Sequence, residues 1–157
     1  MSYKLIRTDG SHPGFLSLIR ALDKELRSHD ADAEHEQLYI SQNIVTDDVP
    51  VSLVILDEEA VGCACLRAYE ESDFELKRMY VLPEHRGRGL SRRILRDLEV
   101  WAEELGRKRV ILETGAVLKA AVSLYKSEGY RVIENYGHYK DIPESICFAK
   151  ELGEENH

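Results

Sequence analysis

No apolar run in the chain approaches the ~20 residues of a membrane span, so a transmembrane helix is not expected. The opening residues Met1-Ser2-Tyr3-Lys4 lack the apolar core of a secretory signal, and a cytoplasmic location is the expectation. Cysteine is scarce. Cys63, Cys65 and Cys147 cannot all pair internally, and Cys63 and Cys65 fall on the same side of one strand, as small buried hydrophobes in a reducing compartment would. Positive charge is in the minority, 21 Lys and Arg against 29 Asp and Glu for a net charge of −8, which disfavours nucleic acid as a partner. No Gly-x4-Gly-Lys-Ser/Thr run exists, which excludes a Walker phosphate loop. His12, His29, His35, His85, His138 and His157 show no ligand spacing, so no metal is expected. Internal repeats and low-complexity linkers are absent too.

What is present fits one domain. A chain of 157 residues, 43% hydrophobic and 32% charged, is long enough to bury a core. Tyr3 to Thr8 reads as a strand, and Phe15, Leu18, Ile19, Leu22 and Leu26 recur at helical spacing up to Arg27. A second helical piece is expected from Glu34 to Asn43. Val51 to Leu56 and Ala60 to Ala68, joined by Asp57-Glu58-Glu59, form a hairpin candidate. Leu76 to Leu82 is the fourth strand. Leu90, Ile94, Leu98, Trp101 and Leu105 make the apolar stripe of a long helix that Gly106 can terminate. Arg109 to Glu113 is a strand, Leu118 to Glu128 a helix, and Tyr130 to Glu134 and Ser145 to Lys150 the last strands. The domain is expected over 1–152, with 153–157 a frayed tail.

The most informative stretch runs from Phe74 to Ser91: an apolar strand, an Arg/Gly turn, then the long helix. That order sets free backbone N–H groups at a helix N-terminus, where the macrodipole also favours an anion. A dinucleotide fingerprint would need a third Gly where Arg92 stands. Arg86-Gly87-Arg88-Gly89-Leu90-Ser91 instead resembles the Arg/Gln-x-x-Gly-x-Gly/Ala turn of the GNAT acetyltransferase superfamily, with Ser91 in place of the final Gly or Ala. A second signature follows in the expected order, Ala121-Val122-Ser123-Leu124-Tyr125-Lys126-Ser127-Glu128-Gly129-Tyr130, similar to the superfamily's Ala-x-x-Leu-Tyr-x-x-x-Gly-Phe/Tyr. The resemblance covers about Val51 to Leu152. It implies a mixed α/β fold with a central, mostly antiparallel twisted sheet of about six or seven strands and about four helices.

The resemblance further implies acetyl-CoA as cosubstrate, its pyrophosphate on Arg86, Gly87, Arg88, Gly89, Leu90 and Ser91. Its pantetheine arm would lie along the main chain of Met79, Tyr80 and Val81. Arg92, Arg93 and Arg96 read as a solvated helix face. An amine of pKa ~10.4 needs a base before it can attack, and Glu75, opening the fourth strand, is the candidate. Glu70, Glu71 and Asp73 read as solvated carboxylates. Tyr125 matches the family tyrosine, which can hydrogen-bond or protonate the thiolate leaving group. Leu118 stands where many members carry an Asn or Gln that contacts the cofactor. Tyr136-Gly137-His138-Tyr139 reads as a surface hairpin, with acceptor-pocket lining as the other option. The expected reaction is direct acetyl transfer to a primary amine, of a small molecule before a protein N-terminus or lysine. A silent acetyl-CoA-binding sensor is the non-enzymatic alternative. Dimers occur in the family, though no exposed apolar stripe specifies one here. Glu34, Glu36 and Tyr39 read as a solvated helix face, with lining of the acceptor pocket as the other option.

Overall fold

The computed structural model describes residues 2–27 and 45–153. The helical piece expected at Glu34 to Asn43, with Glu34, Glu36 and Tyr39, lies outside the described residues, as do His29, His35 and residues 154–157 of the tail. The strands are β1 (Lys4–Asp9), β2 (Pro50–Leu56), β3 (Glu59–Tyr69), β4 (Asp73–Val81), β5 (Arg109–Gly115), β6 (Arg131–Ile133) and β7 (Ser145–Glu151). Three helices are described, α1 (Pro13–Arg27), α2 (Leu90–Glu104) and α3 (Lys119–Ser127). The strand order is β1-β2-β3-β4-β5-β7-β6. The ladders are antiparallel between β1 and β2, β2 and β3, β5 and β7, and β6 and β7, and parallel between β4 and β5. The expected mixed, mostly antiparallel sheet is therefore present. Contacts group the chain into two units, Met1–Arg67 with Lys77–Leu98, and Ala68–Leu76 with Glu99–His157.

In the first unit the helical stripe Phe15, Leu18 and Leu22 packs on Val51, Leu53, Cys63, Cys65 and Tyr80. Cys63 and Cys65 are both buried and unpaired by disulfide, as alternation along one strand predicted. The hairpin turns at Asp57 and Glu58, both at positive φ (50° and 68°), the two-residue geometry that matches the strand twist, here without a glycine. Gly62 has a packing reason. A Cβ there would sit 3.3 Å from both Ile94 Cδ1 on α2 and Val81 Cγ2 on β4, so the missing side chain lets the helix close onto the sheet.

One residue of β4 breaks the strand's local rule. Arg78 has φ +60° inside the strand, a left-handed conformation that costs a side-chain-bearing residue of order 1–2 kcal/mol. Its guanidinium donates to both carboxylate oxygens of Asp23 on α1, at 2.8 and 3.4 Å, and its carbonyl accepts from the Cys63 thiol at 3.4 Å. These contacts hold the distortion in place.

In the second unit β4 begins at Asp73 rather than at Leu76. Asp73 is buried because the Arg109 guanidinium grips its carboxylate, with the shortest contact 2.8 Å, and Arg107 lies 4.6 Å over the Phe74 ring. A carboxylate so neutralised can sit in a strand, which pattern reading had reserved for apolar residues. The β4–β5 ladder pairs Asp73, Glu75 and the intervening Phe74 with Arg109, Ile111 and Val110.

Removing one charge of the Arg78–Asp23 pair leaves the other half-buried without its counterion. Asp23→Asn is therefore expected to lower unfolding stability by about 1–3 kcal/mol. Urea melts should show a lower midpoint with an unchanged slope.

Candidate active site

The Arg/Gly turn of the first unit is built from both ends. Val81 is buried at the end of β4, and its carbonyl accepts a 2.8 Å hydrogen bond from Arg86 Nε. The same guanidinium donates to both oxygens of Glu25 on α1 at 3.2 Å and stands 5.4 Å over the Tyr80 ring. Arg86 thus ties the turn to the strand end and to α1. Gly87 and Gly89 follow at φ +79° and +77°, with nothing within 4 Å of the space a Cβ would take. Both glycines answer to backbone conformation, not to crowding. Leu90 is buried and anchors the helix start, so only its main chain faces outward chemistry. The first amides of α2 have no partner within the helix, and no acidic residue occupies its first turn to compete for them. Arg88 is exposed, Ser91 and Met79 half-buried. The turn thus sets the start of α2 beside the exposed Arg88, with Arg86 taken up by Glu25.

The second unit places the two expected chemical groups on different faces of its strands. Register partners share a face. Glu75 pairs with Ile111, whose face on β5 also carries Glu113, the partner of Cys147 on β7. Glu75 is not the exposed strand-end carboxylate that its neighbours Glu70 and Glu71 are: it is 2% exposed, and its Oε2 accepts a 2.7 Å hydrogen bond from the Tyr136 hydroxyl. Glu113 accepts from Ser145 Oγ at 2.6 Å. The Tyr136 ring meets Tyr69 and Tyr139 edge-on, centroids 5.1 and 5.5 Å apart. Burial, then the adjacent Glu75 charge, pushes the Tyr136 phenol well above its ordinary range.

Tyr125 lies on the other face. Its ring packs against Phe148 and Tyr130, at 6.0 and 5.8 Å, and Phe148 is the partner of Leu112. Burial, with a smaller contribution from Glu113, pushes its phenol up to about 12. It therefore keeps its proton at neutral pH. Tyr130 donates to Glu99 at 2.8 Å and Lys150 reaches the other oxygen of that carboxylate at 3.0 Å, closing a buried network beside Tyr125.

A family model described as "Acetyltransferase (GNAT) family" matches residues 16–130. The chain belongs to the GNAT acetyltransferase family. It is 30% identical to an IAA acetyltransferase of Azospirillum brasilense over 87% of this chain and 90% of that one. Among solved structures, an acyl-CoA N-acyltransferase from Klebsiella pneumoniae superposes with a TM-score of 0.78 at 29% identity, covering 96% of this chain and 97% of that one. A GNAT acetyltransferase from Elizabethkingia anophelis with acetyl-CoA bound has a TM-score of 0.67 at 18% identity over 96% and 98%, a likeness of fold. The protein is accordingly an acyltransferase.

Within this GNAT enzyme, Met79, Tyr80, Val81 and the turn from Arg86 to Ser91 form one continuous strand–turn–helix, whereas Glu75 and Tyr125 are brought to opposite sides of the β4–β5–β7 ladder. Leu118 precedes α3 without a side-chain cap and is 53% exposed. The loop read as a plain surface hairpin is not one. Residues Gly137–Asp141 form a short 3-10 turn with Tyr139 buried. The Asn135 amide pins it by donating to the carbonyls of Tyr139, Ile142 and Ser145 at 3.1–3.2 Å. In the sequence, the only signal for the Tyr136–Glu75 contact is membership of a polar aromatic cluster. His12 and His85 serve locally, the first accepting from the Gly14 amide and the second bonded to the Tyr3 hydroxyl.

The buried tyrosines set an alkaline limit. Tyr125, Tyr130 and Tyr136 all have raised pKa values, so the native state holds their protons more tightly than the unfolded chain does. Their contribution is complete below about pH 10 and is lost as pH climbs through the native values, for Tyr125 about 12. Absorbance at 295 nm should show these phenols ionising only together with loss of the native circular dichroism. Ionisation of all tyrosines while the fold persists would contradict the burial described.

Proposed function

We propose that this acyltransferase moves the acetyl group of acetyl-CoA directly to a primary amine, of a small molecule, in a ternary complex. The observation that carries the reading is the turn itself: two left-handed glycines with open space around them, leading into the start of α2, whose first amides have no partner within the helix. Diphosphate oxygens match those donors in charge and geometry. The pantetheine arm would then add to β4 along Met79, Tyr80 and Val81 as an extra strand, since the left-handed Arg78 sets these residues apart from the ladder that Asp73–Glu75 make with β5. A β4 amide would also support the oxyanion, a contribution of ~3 kcal/mol to the barrier.

Two side chains complete the chemistry. Glu75 serves as the base that receives the acceptor's proton. Tyr125 serves as a hydrogen-bond donor to the departing thiolate. Complete proton transfer from a phenol of about 12 to a thiolate whose acid lies near ~8.5 runs uphill by roughly 5 kcal/mol, so donation without transfer is the role its burial favours. The small-molecule acceptor rests on the chain's likeness to the Azospirillum brasilense IAA acetyltransferase.

Calorimetric titration with acetyl-CoA should give binding in the micromolar range, and Gly89→Ala, which forces a side chain into the left-handed region, should weaken it by about tenfold. Thiol release across a panel of primary amines should then identify an acceptor. Binding with no amine-dependent release would favour the sensor reading. An unchanged Gly89→Ala affinity would remove the turn from the cofactor site.

A further inference from the structure

The base proposed above is buried, and an acceptor dissolved in water must still give it a proton. Glu75 is 2% exposed, and Oε2 already receives the Tyr136 hydroxyl at 2.7 Å. Tyr136 is half-buried, so it is the member of the pair nearer to solvent. A phenol that donates its one hydrogen retains lone pairs with which to accept another. Its ring is fixed by edge contacts to Tyr69 and Tyr139, its backbone N–H reaches the Cys147 sulfur, and Asn135 just before it anchors the loop. That is the arrangement of a carrier held in one orientation.

Resting on the transferase reading, we infer that Tyr136 is the group through which the acceptor amine loses its proton to Glu75. In the transfer step the neutral amine nitrogen bonds to the acetyl carbon and the carbon–sulfur bond breaks, the pair leaving with sulfur as thiolate. The proton released by nitrogen passes to Tyr136 Oη while the phenol's own proton passes to Glu75 Oε2. The step ends with amide, thiolate, a restored phenol and a protonated Glu75. The relay replaces a water molecule, and it lets a dry carboxylate serve a wet substrate. The charged and titratable groups around the pair include Tyr69, Glu70 and Asp73 before and within β4, Glu113 on β5, Tyr139 of the loop and Cys147 on β7. Asp73 is held by Arg109 and Glu113 by Ser145.

Two measurements on the full chain test this. In protein carrying tyrosine labelled with 13C at Cζ, the Tyr136 signal is the one lost in Tyr136→Phe. It should stay in the phenol form to about pH 11 in the parent and ionise about one pH unit lower or more in Glu75→Gln. Identical titration in the two would break the coupling on which the relay depends. Single-turnover transfer to the amines of the panel should slow about tenfold or more in Tyr136→Phe, with acetyl-CoA affinity held within about twofold. The parent's rate in H2O/D2O mixtures should follow a bowed curve, reporting two protons in flight, and the variant's should be straight. A merely structural tyrosine would move the melting temperature and leave the curve bowed. Equal rates, or a straight line for the parent, would overturn the relay alone. A parent that acetylates no amine would overturn the relay and the transferase reading together.

Discussion

Strand β4 depends on a backbone angle that side-chain-bearing residues avoid. Arg78 stays left-handed because two independent contacts hold it: a two-pronged ion pair to Asp23 on α1 and the hydrogen bond its carbonyl accepts from the Cys63 thiol. The ion pair is of the size that such a distortion costs and is largely sheltered from water, with Arg78 only 9% exposed. With that residue fixed, the strand has two characters. Before it, Asp73 to Glu75 join the parallel ladder with β5. After it, Met79 to Val81 lead into the Arg86 clamp and the glycine turn.

The division explains how four acidic residues within a few positions come to differ. Glu70 and Glu71 stay exposed at the turn before β4. Asp73 is buried but spent on structure, since Arg109 neutralises it and the pair closes the start of the ladder. Glu75, two residues on and therefore on the same face, accepts a hydrogen bond from a phenol. Arg109 makes a structural anchor of one acid, and the Tyr136 hydroxyl is bonded to the other. The tyrosine on the opposite face is protonated for a different reason, desolvation, and is suited to donating a hydrogen bond.

How far the sequence could be read follows from where its signals are local. The α1 and α2 stripes, the hairpin at Asp57-Glu58 and the glycine turn are encoded within a few residues, and the structure contains each of them. The limits of β4 were not legible, because Asp73 enters the strand only by virtue of Arg109, 36 positions later. The same holds for Arg78, a left-handed residue with no glycine to announce it. Tyr136 lies 61 positions from Glu75, in a loop ordered by an asparagine amide, and no pattern of alternation or periodicity connects the two. Motif resemblance points to Glu75 and Tyr125, whereas only the structure shows that they lie on opposite faces of the ladder.

The main chain on both sides of the Arg86 clamp is the surface proposed to bind the cofactor. Amide hydrogen exchange with and without coenzyme A tests it directly, because the test reads the backbone itself and needs no acceptor. The account predicts slower exchange at the amides of Met79 to Val81 and Gly87 to Arg92 when coenzyme A is added. Bound coenzyme A that left those amides unchanged and protected another segment would contradict it.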